Sequence, residues 1–80
     1  MGISTARPVV AFATDVRFDE HLMHVRLVDG REISAPLEWF PSLRRASKQQ
    51  RNHWRLIGKG VGLHWPDLDE DISIAALLER

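Results

Sequence analysis

The chain has 80 residues, 44% of them hydrophobic and 28% charged, with five glycines and four prolines. This is the composition of one small folded domain with a thin core, burying about 63% of its unfolded surface by the usual area scaling. Eleven Lys/Arg balance eleven Asp/Glu and cysteine is absent, which excludes a disulfide frame, a thiolate nucleophile and a cysteine zinc site.

Residues 1–8 carry no periodicity and end at Pro8, so they are expected to form a loose tail ahead of a single α+β domain over residues 9–80. The apolar run Val9 to Ala13 is too short for a secretory or spanning segment, so a soluble cytoplasmic protein without membrane contact is expected. From Val10 the chain alternates: Val10, Phe12, Val16 and Phe18 share one face, Ala11, Asp15 and Arg17 the other. Met23, Val25 and Leu27 repeat the pattern, and Ile33 and Ala35 resume it after Asp29-Gly30.

Opposed residues must share a face, and this fixes the expected register. A two-residue loop at Asp19-Glu20 pairs Val16 with Met23 and Phe12 with Leu27. A three-residue loop, Val28-Asp29-Gly30, pairs Val25 with Ile33, Met23 with Ala35 and Arg26 with Glu32, with Gly30 left-handed in a bulge. Past Pro36 the pattern turns helical. Pro41 opens a short helix with Leu43 and Ala46 inward. Ser47 and Gln50 form a capping box for a second helix from Lys48 to about Trp54. Residues 54–57 fit helix or strand equally. The segment Gly58 to Gly62 reads as a turn, Val61, Leu63 and Trp65 as a short strand stopped by Pro66, and Ser73 as the cap of a terminal helix from Ile74 to Glu79 that docks Leu77 and Leu78. The expected fold is α+β: a three- to four-stranded antiparallel meander sheet with two or three short helices packed on one face.

The residue inventory argues against catalysis. His21 and His24 point to opposite strand faces, His24 is expected to oppose Asp15, and His53 and His64 lack locally spaced partners, so no metal site is expected. Asp67, Asp69 and Asp71 imitate the start of a calcium loop, but Ile72 stands where glycine is needed and Leu78 where glutamate is needed. The acidic stretch reads instead as a loop favouring the N-terminus of the following helix. The serines, Ser34 among them, lack a G-x-S-x-G setting, and Gly58-Lys59-Gly60-Val61-Gly62 lacks phosphate-loop spacing. No catalytic residue and no cofactor is expected.

Charge is the uneven feature. Residues 41–60 carry Arg44, Arg45, Lys48, Arg51, Arg55 and Lys59 without one acid, and residues 66–80 carry five acids against Arg80. Lys48, Arg51 and Arg55 share a face at helical spacing. Such a stripe tracks phosphates, binds an acidic protein surface, or pairs with the chain's own acidic segment. Trp39, Trp54 and Trp65 are expected to fill the core, and any tryptophan exposed beside arginine to act as an interface anchor. The candidate partner-binding residues are therefore Arg44, Arg45, Lys48, Arg51, Arg55 and Trp54.

Asp29-Gly30-Arg31, Phe40-Pro41-Ser42-Leu43, Asn52-His53-Trp54, the run Gly60 to Pro66 and the run Leu68 to Ser73 together resemble the small bacterial family called "domain of unknown function 2442". The resemblance covers residues 9–80 in order. It implies a short α+β protein, often encoded beside a second small protein and acting as the antitoxin-like half of a toxin–antitoxin pair, and it assigns no catalytic residue. The expected function is a non-catalytic protein-binding module whose basic helix masks an acidic surface on another small protein. The alternatives are a nucleic-acid-binding or regulatory domain and a small enzyme of unknown type. Self-association through an open sheet edge is the remaining partner class.

Overall fold

A computed structural model describes residues 11–79. The expected tail therefore lies outside the described residues, as does Val10. Strands β1 (Ala13–Phe18), β2 (Leu22–Leu27) and β3 (Glu32–Pro36) form the antiparallel meander. A 3-10 turn at Leu37–Trp39 leads into helices α1 (Pro41–Arg45) and α2 (Lys48–Asn52). Strands β4 (Arg55–Ile57), β5 (Gly62–Trp65) and β6 (Glu70–Ser73) form a second antiparallel meander, and α3 (Ile74–Leu78) follows directly. The α+β class is as expected, with the strands divided between two three-stranded sheets.

The second hairpin has the expected register, with Val25 opposite Ile33, Met23 opposite Ala35 and Arg26 opposite Glu32. Gly30 sits at φ 93°, and Asp29 accepts from the Arg31 N–H at 3.0 Å, which closes the turn. The first hairpin is corrected. Phe18, not Val16, faces Met23, and Val16 faces Val25. The cause is Asp19: its Oδ1 accepts from the His21 and Leu22 N–H groups at 2.8 Å each, building a longer turn than two residues allow. A shift of two residues leaves every side chain on its face, so the apolar pattern did not reveal it. Thr14 then forms a bulge between the Ala13–Leu27 and Asp15–Arg26 pairs, which puts Ala13 rather than Phe12 into the core. His24 consequently opposes Arg17 and not Asp15.

Three further expectations are revised. Helix α2 stops at Asn52 with His53 as its C-cap, and residues 55–57 are strand. Glu70–Ser73 is a strand and not a loop, because Ile72 buries against Leu63 while its polar neighbours face out. Leu77 is buried as expected, but Leu78 is 43% exposed.

Both sheets feed one core: Val16, Met23, Val25, Leu27 and Ala35 from the first, Leu63, Trp65 and Ile72 from the second, closed by Leu37, Leu43, Ile74 and Leu77. Backbone bonds join the sheets where the β4–β5 turn meets β1, the Ala13 N–H donating to Gly60 O at 2.8 Å. Helix α2 packs on β1, and α3 on β3 and β6.

Candidate functional site: a basic face on the two central helices

Helix α1 starts at Pro41, whose missing N–H costs nothing at the first helical position, and Leu43 anchors it in the core. Two residues later Ser47 caps α2: its hydroxyl accepts from the Gln50 N–H at 3.1 Å, and the Gln50 side chain accepts from the Ser47 N–H at 3.0 Å. These short helices depend on tertiary anchoring, and Arg51 supplies it. Its Nε donates to Leu43 O and its Nη2 to Arg44 O, both at 2.8 Å, satisfying carbonyls at the end of α1. Its guanidinium lies 5.8 Å from the centre of the Phe18 ring. Its own carbonyl accepts from Trp65 Nε1 at 2.9 Å.

Arg51 is thus a fastener of the site more than a free contact. Arg44, Arg45 and Lys48, around it, are exposed, as is Arg55 on β4. Among the described residues, no carboxylate lies within ion-pair distance of these four cations. The acidic segment is engaged elsewhere: Asp67 with His53 Nδ1 at 2.8 Å, Asp71 with His64 across β5 and β6, and Glu70 with the Ser42 hydroxyl. Among the described residues, the acidic segment makes no ion pair with the basic helices.

The face has relief. A cleft of about 570 Å³ between α2 and the β1–β2 turn is lined by Arg17, Phe18, Lys48, Arg51 and Asn52, with Asp19 and Glu20 opposite. A second cleft, of about 480 Å³, has Arg44 on its wall and shares Glu20 with the first. Arg55 belongs to the second sheet, opposite His64, and lines neither cleft. Trp54 is half-buried against the core, Trp65 is fully buried, and Trp39 is 43% exposed beside Glu70 and Ala76. Trp39, expected in the core, is therefore corrected to the surface; its place just before Pro41, in the turn leading to the basic helices, was the available signal.

Asp19 borders the first cleft. The hydrogen bond from His24, reinforced by the His21 and Leu22 N–H groups, lowers its carboxyl pKa from 3.8 to about 2. A lowered folded-state pKa means stability that is complete above the unfolded value and lost as pH falls toward the folded one. Melting temperatures followed from pH 5 to pH 2 should fall more steeply for the natural chain than for Asp19→Asn, the gap between them narrowing below pH 4. Parallel curves would show that the Asp19 turn contributes nothing to acid sensitivity.

Among the described residues, no cluster of three or more His, Asp or Glu is disposed to hold a metal ion, and no helix is long and apolar enough to cross a membrane. Residues 13–80 match the family described as Protein of unknown function (DUF2442). The chain belongs to this family. Its fold is similar to a crystal structure, at 2.75 Å resolution, of a protein of unknown function from Rhodospirillum rubrum ATCC 11170. The two chains share 31% identity, the match covers 86% of each, and the TM-score is 0.73. No functionally curated protein matches the sequence. The family assignment thus covers every element from β1 to α3, the basic helices included.

Proposed function

We propose that the chain is a protein-binding module that docks an acidic surface of another small protein against the α1–α2 face. In keeping with the family resemblance, it is the neutralising, antitoxin-like half of a two-protein module. The observation that carries this reading is that Arg44, Arg45 and Lys48 stand exposed on a buttressed helix pair and, among the described residues, make no ion pair with a carboxylate. Cations already paired within a chain must break those pairs to bind. Unpaired ones instead steer an acidic partner and fix its orientation. Arg51 holds the two helices together beneath them and so keeps their spacing fixed.

The test is titration of the purified chain against the small protein encoded beside it, in about 0.15 M salt, where charges more than about 8 Å apart are screened. The double variant Arg44→Glu, Lys48→Glu should bind at least about tenfold more weakly, with most of the loss in the association rate, since reversing a rim charge acts on encounter. Equal affinity for variant and natural chain would remove the proposed face. Duplex DNA or RNA retained at low salt, with affinity falling steeply as salt rises, would transfer the face to nucleic acid.

A further inference from the structure

On the outer face of the first sheet and its β1–β2 turn, three side chains form a continuous hydrogen-bonded chain. His24 on β2 stands directly opposite Ser34 on β3. Its Nδ1 lies 2.7 Å from Ser34 Oγ, and its Nε2 lies 2.7 Å from Asp19 Oδ2. The Asp19 carboxylate cannot swing away, because Oδ1 is held by the two backbone N–H groups of the β1–β2 turn. An imidazole between a fixed carboxylate and a hydroxyl carries its proton on the carboxylate side and turns a lone pair to the hydroxyl. The His24 side chain is 12% exposed, whereas Ser34 is open to solvent. The base is sheltered and the hydroxyl accessible.

We propose that Ser34 is an activated nucleophile that takes acyl groups from small activated esters, with His24 as its general base and Asp19 as the residue positioning the ring. Ser34 Oγ attacks the ester carbonyl carbon while its proton passes to His24 Nδ1. The bond to the alcohol oxygen breaks, and the departing alkoxide takes that proton from His24. Water, deprotonated by the same nitrogen, then attacks the serine ester; the bond from the acyl carbon to Oγ breaks, Oγ takes the proton back from His24, and ester and water have become acid and alcohol. The ring runs in the opposite sense to the familiar serine hydrolases, with Nδ1 on the hydroxyl and Nε2 on the carboxylate. The relay needs only that one ring nitrogen face each group. The neighbouring cation is Arg17, opposite His24 on β1, with its guanidinium 2.9 Å from Glu32 Oε1, two residues before Ser34 on the same face. Ser34 lines neither cleft of the basic face, so the substrate class is an unhindered acyl donor. The acceleration is that of a positioned base, about 10²- to 10⁴-fold.

The experiment treats the full chain with p-nitrophenyl acetate and with a fluorophosphonate, and maps the modified residue by mass spectrometry. Ser34 should react at least tenfold faster than Ser42, Ser47 or Ser73, Ser34→Ala should abolish that adduct, and His24→Gln should slow it about a hundredfold, within the range for general-base catalysis. Asp19→Asn gives a separate readout. Its amide oxygen can still accept from the turn N–H groups, but its NH₂ faces Nε2 and forces the proton onto Nδ1. Labelling should fall, and the imidazole ¹⁵N shifts should report the reversed tautomer while circular dichroism stays that of the folded chain. Labelling spread evenly over the serines, or none at Ser34 in the natural chain, overturns the proposal whether or not every variant folds.

Discussion

Gly60→Ala is expected to lower the unfolding free energy by about 3 kcal/mol, combining the roughly 1–3 kcal/mol of a non-glycine residue at positive φ with about 1 kcal/mol for a lost hydrogen bond. Gly60 has φ 110°, and a Cβ there would lie 2.4 Å from the backbone oxygen of Ala13 and 2.9 Å from its nitrogen. These near atoms are all Ala13 backbone, so nothing soft can move. The turn must retreat from β1, and the Ala13–Gly60 hydrogen bond that joins the two sheets goes with it. In a domain of this size each kcal/mol shifts the melting temperature by about 4–8 °C, so thermal unfolding should show a drop of roughly 15 °C. Gly30→Ala is the control. Gly30 also has positive φ, at 93°, but an added Cβ there meets nothing within 4 Å. Equal losses at the two positions would mean that the sheet-to-sheet contact is not made at Gly60.

Trp65→Ala is expected to cost about 4 kcal/mol, the middle of the range for deleting a large core aromatic. Trp65 is fully buried, meets Phe18 edge-on at 6.5 Å between ring centres, and donates Nε1–H to Arg51 O. Trp65→Phe keeps most of the apolar area but leaves that carbonyl without its donor, a loss of about 1–2 kcal/mol. Urea unfolding separates the two variants. Arg51 is also the clasp between α1 and α2, so the phenylalanine variant, still folded, should bind the acidic partner more weakly although Trp65 itself cannot touch it. Binding equal to that of the natural chain would show that the basic face does not depend on this strut.

The legible parts of the chain were those decided by neighbours in sequence. The Val28-Asp29-Gly30 loop could be chosen because a two-residue loop at Asp29-Gly30 would place Arg26 opposite Ile33, a mismatch of faces. The same register sets His24 opposite Ser34, although its chemical consequence needed Asp19 as well. The capping box at Ser47 and Gln50 and the Ser73 cap, which accepts from the Ala76 N–H, are also contacts within one turn. The first hairpin failed for a definite reason: slipping two residues preserves the inside–outside pattern, and only the Asp19 side chain distinguishes the registers. Strand β6 was hidden because three of its four residues are polar and Ile72 alone buries, a pattern that suits an edge strand and a loop equally well.

The amino-acid order alone determined the α+β class, the excess of cations over residues 41–60 and the absence of cysteine chemistry. Tertiary structure decided how those charges are used. It sent Asp67 and Asp71 to histidines, turned Arg51 inward to clasp two helices, and left Arg44, Arg45 and Lys48 facing water. It also folded the Asp19 turn over His24, joining a residue of the loop to one on each of two strands. A sequence lists charges and their spacing. Which of them meet depends on distances between elements that only packing around a shared core can set.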